Sequence, residues 1–358
     1  MIKLFDPSIS DDEINATTSI LKSKFWASGS GINNVQNFEK SFGKYVGSKE
    51  TIAVNSGSAA LHLGLSLFNL KNKEVLVPSL TFVSTVHAIL QNGGIPVFID
   101  IDPITLSMNI DEIKKRISKK TGAIIAVHFG GMPINLKKLK KISLEYKIPI
   151  IEDAAHACGS KYDNKKIGSH SDLICFSFHP VKNLAMPSGG AICINKNSSK
   201  FKKTLNSKRW CGITNRKNYY YDVDKMGWNY YMNEISASIG LVQLKKLDKL
   251  NKIRLKIAKQ YFKELNVEFK MPFSKNCSYH LYWIRVKKRK EFINKMKLKG
   301  IETGIHYNPV HLMTFYKKYG RRLPITEKIS KEIVSIPIHP NLTQNDVDRV
   351  VTSINNII

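Results

Sequence analysis

Along the first half of the chain, short apolar runs rich in β-branched residues alternate with stretches of helical period. The runs Thr51–Val54, Glu74–Val77, Pro96–Asp100, Ala123–Val127, Ile148–Ile151, Leu173–Phe178 and Ala191–Ile194 have the length and composition of buried strands. Between them, 35–46 places Val35, Phe38, Phe42 and Val46 on one helix face, and 136–146 reads as a basic helix. Residues 8–22 read as a capped helix, with Ser10 ahead of acidic residues and Ile14, Ile20 and Leu21 as its apolar face. Further helices are expected from the turn at Ser56 to about Leu70 and over 110–117. Strands alternating with helices predict an α/β fold with a mostly parallel sheet sandwiched by helices. In such sheets ligands bind at the carboxyl ends of the strands.

The last third follows a different pattern. A long helical segment, 233–257, leads to a strand over 279–286, a Lys-rich helix over 290–299 and a final helix starting near Thr343–Asp346. This predicts a large domain over 1–245 and a smaller C-terminal α/β domain over 246–358. No internal repeat or low-complexity linker interrupts the chain.

The candidate chemistry concentrates between Ile148 and Ile194. One buried strand delivers Asp153 at its carboxyl end, and the next delivers Lys182 just past its own. By spacing alone such a pair reads as an ion pair or two solvated side chains. A separate feature upstream shifts the reading: Asn55-Ser56-Gly57-Ser58 is a small-residue turn that opens a helix, whose free amides and dipole suit a phosphate. A phosphate cradle, an acid and a lysine together match pyridoxal phosphate chemistry. The lysine amine forms a Schiff base, and the acid pairs with the ring nitrogen so that the ring withdraws electrons.

Composition narrows the classes. Lys and Arg number 56 against 28 Asp and Glu, a net charge of +28 that attracts polyanions. The lysines are spread over helix faces and no nucleic-acid motif is present, so a solvated basic surface is preferred over a nucleic-acid partner. There is no apolar run long enough to span a membrane. The amino-terminal residues lack a signal-peptide core, and the five cysteines show no metal spacing. Both features predict reduced thiols and a cytoplasmic protein without a metal site.

The segments SGSAALHLGL (56–65), VLVPSLTFVSTVHAI (75–89), IEDAAHACGSKYDNKKIG (151–168), SFHPVKNL (177–184), GWNYYMNEISASIGLVQLKKL (227–247) and HYNPVHL (306–312) resemble, in order, the DegT/StrS family of sugar aminotransferases. The resemblance implies fold type I and pyridoxal 5'-phosphate, with the pyridoxamine form as intermediate. It assigns Lys182 as the Schiff-base lysine and Asp153 as the ring-nitrogen partner. Ser56, Gly57, Ser58 and Ser177 become phosphate ligands. Phe82 and Ala155 cover the two ring faces, and His156 reaches the phenolic oxygen. Asn229 reaches the phosphate in a neighbouring subunit, which implies a homodimer with shared sites. His306 and Tyr307 lie at the substrate mouth. The implied reaction moves an amino group from L-glutamate to a ketosugar, nucleotide-linked, for aminosugar, lipopolysaccharide or other surface polysaccharide synthesis. Two motifs depart from the family pattern: Pro187-Ser188 stands for Gly-Glu and Tyr231 for Arg. A sugar dehydratase, whose position 182 would be His, and a basic nucleic-acid-binding or regulatory protein on the same fold are the alternatives.

Overall fold

In the computed structural model, which describes residues 1–358, the chain opens with helices α1 (Asp11–Ser23) and α2 (Asn34–Val46). It continues through β1 (Glu50–Val54), α3 (Gly57–Leu65), β2 (Glu74–Pro78), α4 (Val83–Gln91) and β3 (Ile95–Ile99). The one-turn α5 (Ile110–Ile113), β4 (Thr121–Val127), α6 (Leu136–Tyr146) and β5 (Ile150–Asp153) follow. A small hairpin, β6 (Lys161–Tyr162) and β7 (Lys165–Lys166), precedes β8 (Leu173–Ser177), β9 (Gly190–Ile194) and α7 (Ser198–Lys208). A second hairpin, β10 (Ile213–Lys217) and β11 (Tyr220–Val223), leads into the 31-residue helix α8 (Glu234–Glu264). The chain ends with β12 (Tyr282–Arg285), α9 (Arg289–Leu298), α10 (Pro324–Glu332), β13 (Ile333–Ile336) and α11 (Gln344–Ile357).

Seven strands form one sheet in the order β1-β9-β8-β5-β4-β2-β3. The pairs β2/β3, β2/β4, β4/β5 and β5/β8 are parallel, and only β9 runs against its neighbours. The mostly parallel sheet expected from the alternating pattern is therefore present. The reversal at β9 needs Gly190, because a Cβ there would lie 2.4 Å from the Ser56 carbonyl oxygen.

Successive strand residues face opposite layers. Ile124 and Ala126 of β4 pack with Phe38 and Phe42 of α2 and Leu139 of α6. Ala123 and Ile125 join Leu61 of α3, Ile89 of α4 and Leu205 of α7 on the other face. Each such aliphatic or aromatic side chain removed from water supplies about 1.5–3 kcal/mol. A third apolar cluster gathers Ile257 and Tyr261 of α8 with β12, β13, α9 and α11, and takes in Ile2 from the chain start. The expected division at 245/246 falls inside α8, which carries Leu247 in one cluster and Ile257 in another.

Several elements differ from the sequence expectation. Of the α1 apolar face only Ile20 is buried, while Ile14 and Leu21 are exposed. The helix is held to α8 through Glu13, which accepts hydrogen bonds from Ser10 and from Gln243. α3 stops at Leu65, where the Ser66 hydroxyl turns back to the Leu63 carbonyl, 2.7 Å away. The helix expected over 110–117 closes after one turn. The strand expected from Tyr279 begins at Tyr282, because His280 and Leu281 instead donate their amides to the Gly130 carbonyl.

One buried hydrogen bond, from the imidazole of His128 to the carboxylate of Glu152, clamps β4 to β5. His128 Nε2 lies 2.8 Å from the Glu152 carboxylate, and neither side chain is exposed. Burial pushes the Glu152 carboxyl up, but the hydrogen bonds from His128 and the Ser171 amide outweigh it and hold it below 4.5. A depressed carboxyl stabilises the fold above the unfolded pKa, and that stabilisation is lost as pH falls through the folded one. Replacing His128→Ala removes a hydrogen bond from a buried carboxylate and is expected to cost about 2–3 kcal/mol in urea unfolding. A loss under about 1 kcal/mol would show that the pair is not a clamp.

Candidate active site

Four chain segments meet at the carboxyl edge of the sheet: the β1–α3 turn, the β2–α4 turn, the residue ending β5 and the loop after β8. They enclose a cavity of about 390 Å³. Ser56, Gly57, Ser58, Phe82, Asp153, Ala155, His156, Ser177, Lys182, His306 and Tyr307 all line it.

The β1–α3 turn builds an anion cradle. Ser56 caps α3, its Oγ accepting the Ala59 amide at 3.1 Å. The amides of Gly57 and Ser58 belong to the first helical turn and have no intrahelical acceptor. A Cβ on Gly57 would lie 2.6 Å from Ser177 Cβ, so only glycine lets the turn and the end of β8 come together. Ser58 Oγ is tied to Ser84 at the start of α4.

Asp153 closes the floor, with only 5% of its surface exposed. One carboxylate oxygen accepts the Ala155 amide at 3.1 Å and the other the Thr85 hydroxyl at 2.7 Å. Burial pushes its pKa up, and Thr85, Ala155 and Lys182 pull against that rise. Lys182 enters from the loop after β8, which is pinned by Asn183 to Asn251 and to the Ser278 carbonyl. Burial lowers the Lys182 amine to about 8 although Asp153 favours the charged form. An amine in that range can take up and release a proton near neutrality.

The far wall comes from the later part of the chain. The Gly130 amide donates to His156 Nδ1 at 3.2 Å, which assigns the ring proton to Nε2. His156 Nε2 then donates to Tyr307 Oη at 3.0 Å, so its reach into the cavity passes through that hydroxyl. Phe82 and Tyr307 sit with ring centroids 5.9 Å apart. His306 is oriented by Ser335 at 2.9 Å, and burial with the Lys182 charge lowers it to about 4.

Sequence reasoning missed Thr85, which faces Asp153 from inside α4, and His280, whose Nε2 lies 3.4 Å from Lys182 Nζ. Neither belongs to a spacing that signals chemistry. Asn229 is apart from the others: it is exposed and does not line this chain's cavity. The hairpin β10–β11 just before it exposes Tyr219, Tyr220 and Tyr221.

Residues 7–355 match the profile of the DegT/DnrJ/EryC1/StrS aminotransferase family. The chain belongs to this family. Uncharacterized protein MJ1066 of Methanocaldococcus jannaschii is 35% identical over 99% of this chain and 97% of its own length. The pyridoxamine-form structure of the putative sugar aminotransferase Spr1654 from Streptococcus pneumoniae superposes with a TM-score of 0.95 at 26% identity, covering 100% of this chain and 99% of that one. Helicobacter pylori PseC, an aminotransferase involved in the biosynthesis of pseudoaminic acid, gives 0.93 at 25% identity over 99% and 98% of the two chains.

The family and these neighbours make the chain a pyridoxal-phosphate-dependent sugar aminotransferase of the same fold. Its residues fit the cofactor: the amides of the α3 cradle lack an acceptor, a Cβ would obstruct Gly57, and a buried acid and a half-buried amine face one cavity. Two outcomes follow. Cofactor-free protein captures pyridoxal phosphate faster as pH rises, half-maximally near pH 8, because the neutral Lys182 amine is the nucleophile. A pH-independent rate would contradict that assignment. Gly57→Ala weakens cofactor affinity roughly tenfold in an absorbance titration, about the 1.4 kcal/mol that overpacking of this size costs. Unchanged affinity would show that the cradle is elsewhere.

Proposed function

We propose that the chain transfers an amino group from L-glutamate to the keto carbon of a nucleotide-linked sugar, supplying aminosugars for a surface polysaccharide such as lipopolysaccharide. The observation that carries this reading is the buried Asp153 and half-buried Lys182 facing one cavity across from the free amides of α3. Anionic substrates are supported by the lining. Asp153, at the floor, is its one carboxylate, while Lys182 and four histidines border the rest. Ser188, where the family pattern has Glu, removes a second negative charge from the mouth and donates to the Asn55 carbonyl.

Bound pyridoxal phosphate supplies an aldehyde that condenses with amines and a ring that withdraws electrons from the donor's α-carbon. On this reading the chain's own residues do the rest. Ser56, Gly57, Ser58 and Ser177 bind the phosphate, and Phe82 and Ala155 cover the ring faces. Asp153 carries the negative charge that holds the ring nitrogen protonated. Lys182, as the neutral amine, takes the proton from the donor's α-carbon and returns it on the other side of the transfer. His156 orients Tyr307, whose hydroxyl and the neighbouring His306 border the substrate mouth.

The active unit we propose is a homodimer with shared sites, in which Asn229 serves the neighbouring phosphate. Its exposure outside its own cavity supports this, as do the tyrosines of the adjacent hairpin and the exposed Ile14 and Leu21 of α1. The reading also divides the chain into a large cofactor-binding part and a smaller C-terminal part joined along α8, and places the protein in the cytoplasm. Five free cysteines support a reducing compartment. No helix is long and apolar enough to cross a membrane.

Purified enzyme given L-glutamate is expected to lose its yellow absorbance and release one 2-oxoglutarate per site, and then to aminate a nucleotide-linked ketosugar. Bleaching without oxoglutarate, or turnover only with a free sugar acid, would overturn the donor or the acceptor assignment. Mixing inactive Lys182→Ala and Asn229→Ala proteins is expected to restore about a quarter of wild-type activity, through hybrid dimers with one intact site. No recovery after subunit exchange would contradict shared sites.

A further inference from the structure

The side chain that hydrogen-bonds the Lys182 amine is a histidine. His280 Nε2 lies 3.4 Å from Lys182 Nζ and is the amine's one hydrogen-bonding partner. The histidine comes from the opposite side of the cavity, on the segment that ties itself to the Gly130 carbonyl just before β12. Its ring is held on two sides, stacked on Phe5 at 5.5 Å and 16° and beside His156 at 4.4 Å. The second ring nitrogen, Nδ1, is buried with no partner. An orphaned buried nitrogen costs free energy that a Phe or Leu filling the same volume would avoid. Packing alone therefore does not explain a histidine here, whereas its contact with the reacting amine does.

We propose that His280 is a positioning residue for Lys182: its Nε2 accepts a hydrogen bond from the amine whenever that amine is released from the cofactor, and keeps it aimed into the cavity. The inference rests on the aminotransferase reading, in which Lys182 must be free yet ordered while it carries a proton. The surroundings keep His280 an acceptor. Burial, then the charge of Lys182, then His156, Arg254 of α8 and His306, hold its pKa well below 6.5, so it stays neutral. Asp153, the remaining charged group near the amine, acts on Lys182. An acceptor at 3.4 Å favours the protonated amine and opposes the effect of burial.

The test reads Lys182 in cofactor-free full-length protein, by reductive methylation with formaldehyde and borohydride across pH and mass spectrometry of its peptide. Wild type is expected to show a reactivity midpoint near 8. His280→Phe is expected to lower that midpoint by about one unit, since the acceptor for the charged form is gone. His280→Gln, whose amide oxygen can reach the same place, is expected to restore it. In the loaded enzyme, His280→Phe should lower kcat for the glutamate half-reaction at least tenfold with KM little changed. An unchanged midpoint in folded His280→Phe overturns the proposal. If His280→Phe does not fold, His280→Gln is set against His280→Asn, which is too short to reach the amine; equal midpoints in those two also overturn it. The labelling needs no turnover. A failed shift therefore removes the role of His280 and leaves the aminotransferase reading standing, while wild-type protein that takes up no cofactor removes that reading itself.

Discussion

Asp153 and Lys182 share one cavity because β5 and β8 run parallel and adjacent, so that both present their carboxyl ends to the same edge of the sheet. Each group alone would be expensive to bury. Together, with Thr85 and the Ala155 amide bonded to the acid, they make a polar site inside an apolar frame. The rest of the local structure serves that arrangement. The Asn183 contacts fix the loop that carries Lys182, the glycine at 190 allows β9 to turn back beside β8, and the glycine at 57 brings the anion cradle against Ser177.

The same burial sets the chemistry. Partial burial of Lys182 lowers the amine toward neutrality, the range a proton-transfer role needs, while Asp153 limits how far it falls. Histidines around the cavity are held neutral by burial and by the lysine's charge, so they act there as hydrogen-bonding groups and not as cations. The floor is thus acidic, the walls are neutral, and the mouth carries no carboxylate to repel an anionic substrate.

The strands, and with them Asp153, Lys182 and the Ser56–Ser58 turn, were legible because a buried strand leaves a β-branched run and a helix start leaves small capping residues. Functional side chains lying outside such patterns were not. His280 sits on irregular backbone ahead of β12, and Thr85 is an ordinary helix residue until the fold sets it against Asp153. The hairpin β10–β11 was silent because its strands are almost wholly exposed and carry no apolar alternation. Ile14 and Leu21 misled for the opposite reason: their period is helical, but α1 meets α8 through Glu13 and Ile20. Asn229 had meaning only through the family resemblance, since nothing within one chain gives it a partner in the cavity.

We propose that the Asp153 carboxylate, buried opposite Lys182, powers proton removal from the donor. The most direct measurement is rapid-mixing absorbance of Asp153→Asn with bound cofactor against L-glutamate. The variant keeps the shape and the Thr85 and Ala155 neighbours but loses the charge. It is expected still to bind cofactor and turn yellow, yet to bleach at least a thousandfold more slowly, roughly 4 kcal/mol of lost transition-state stabilisation. Bleaching at the wild-type rate would contradict it.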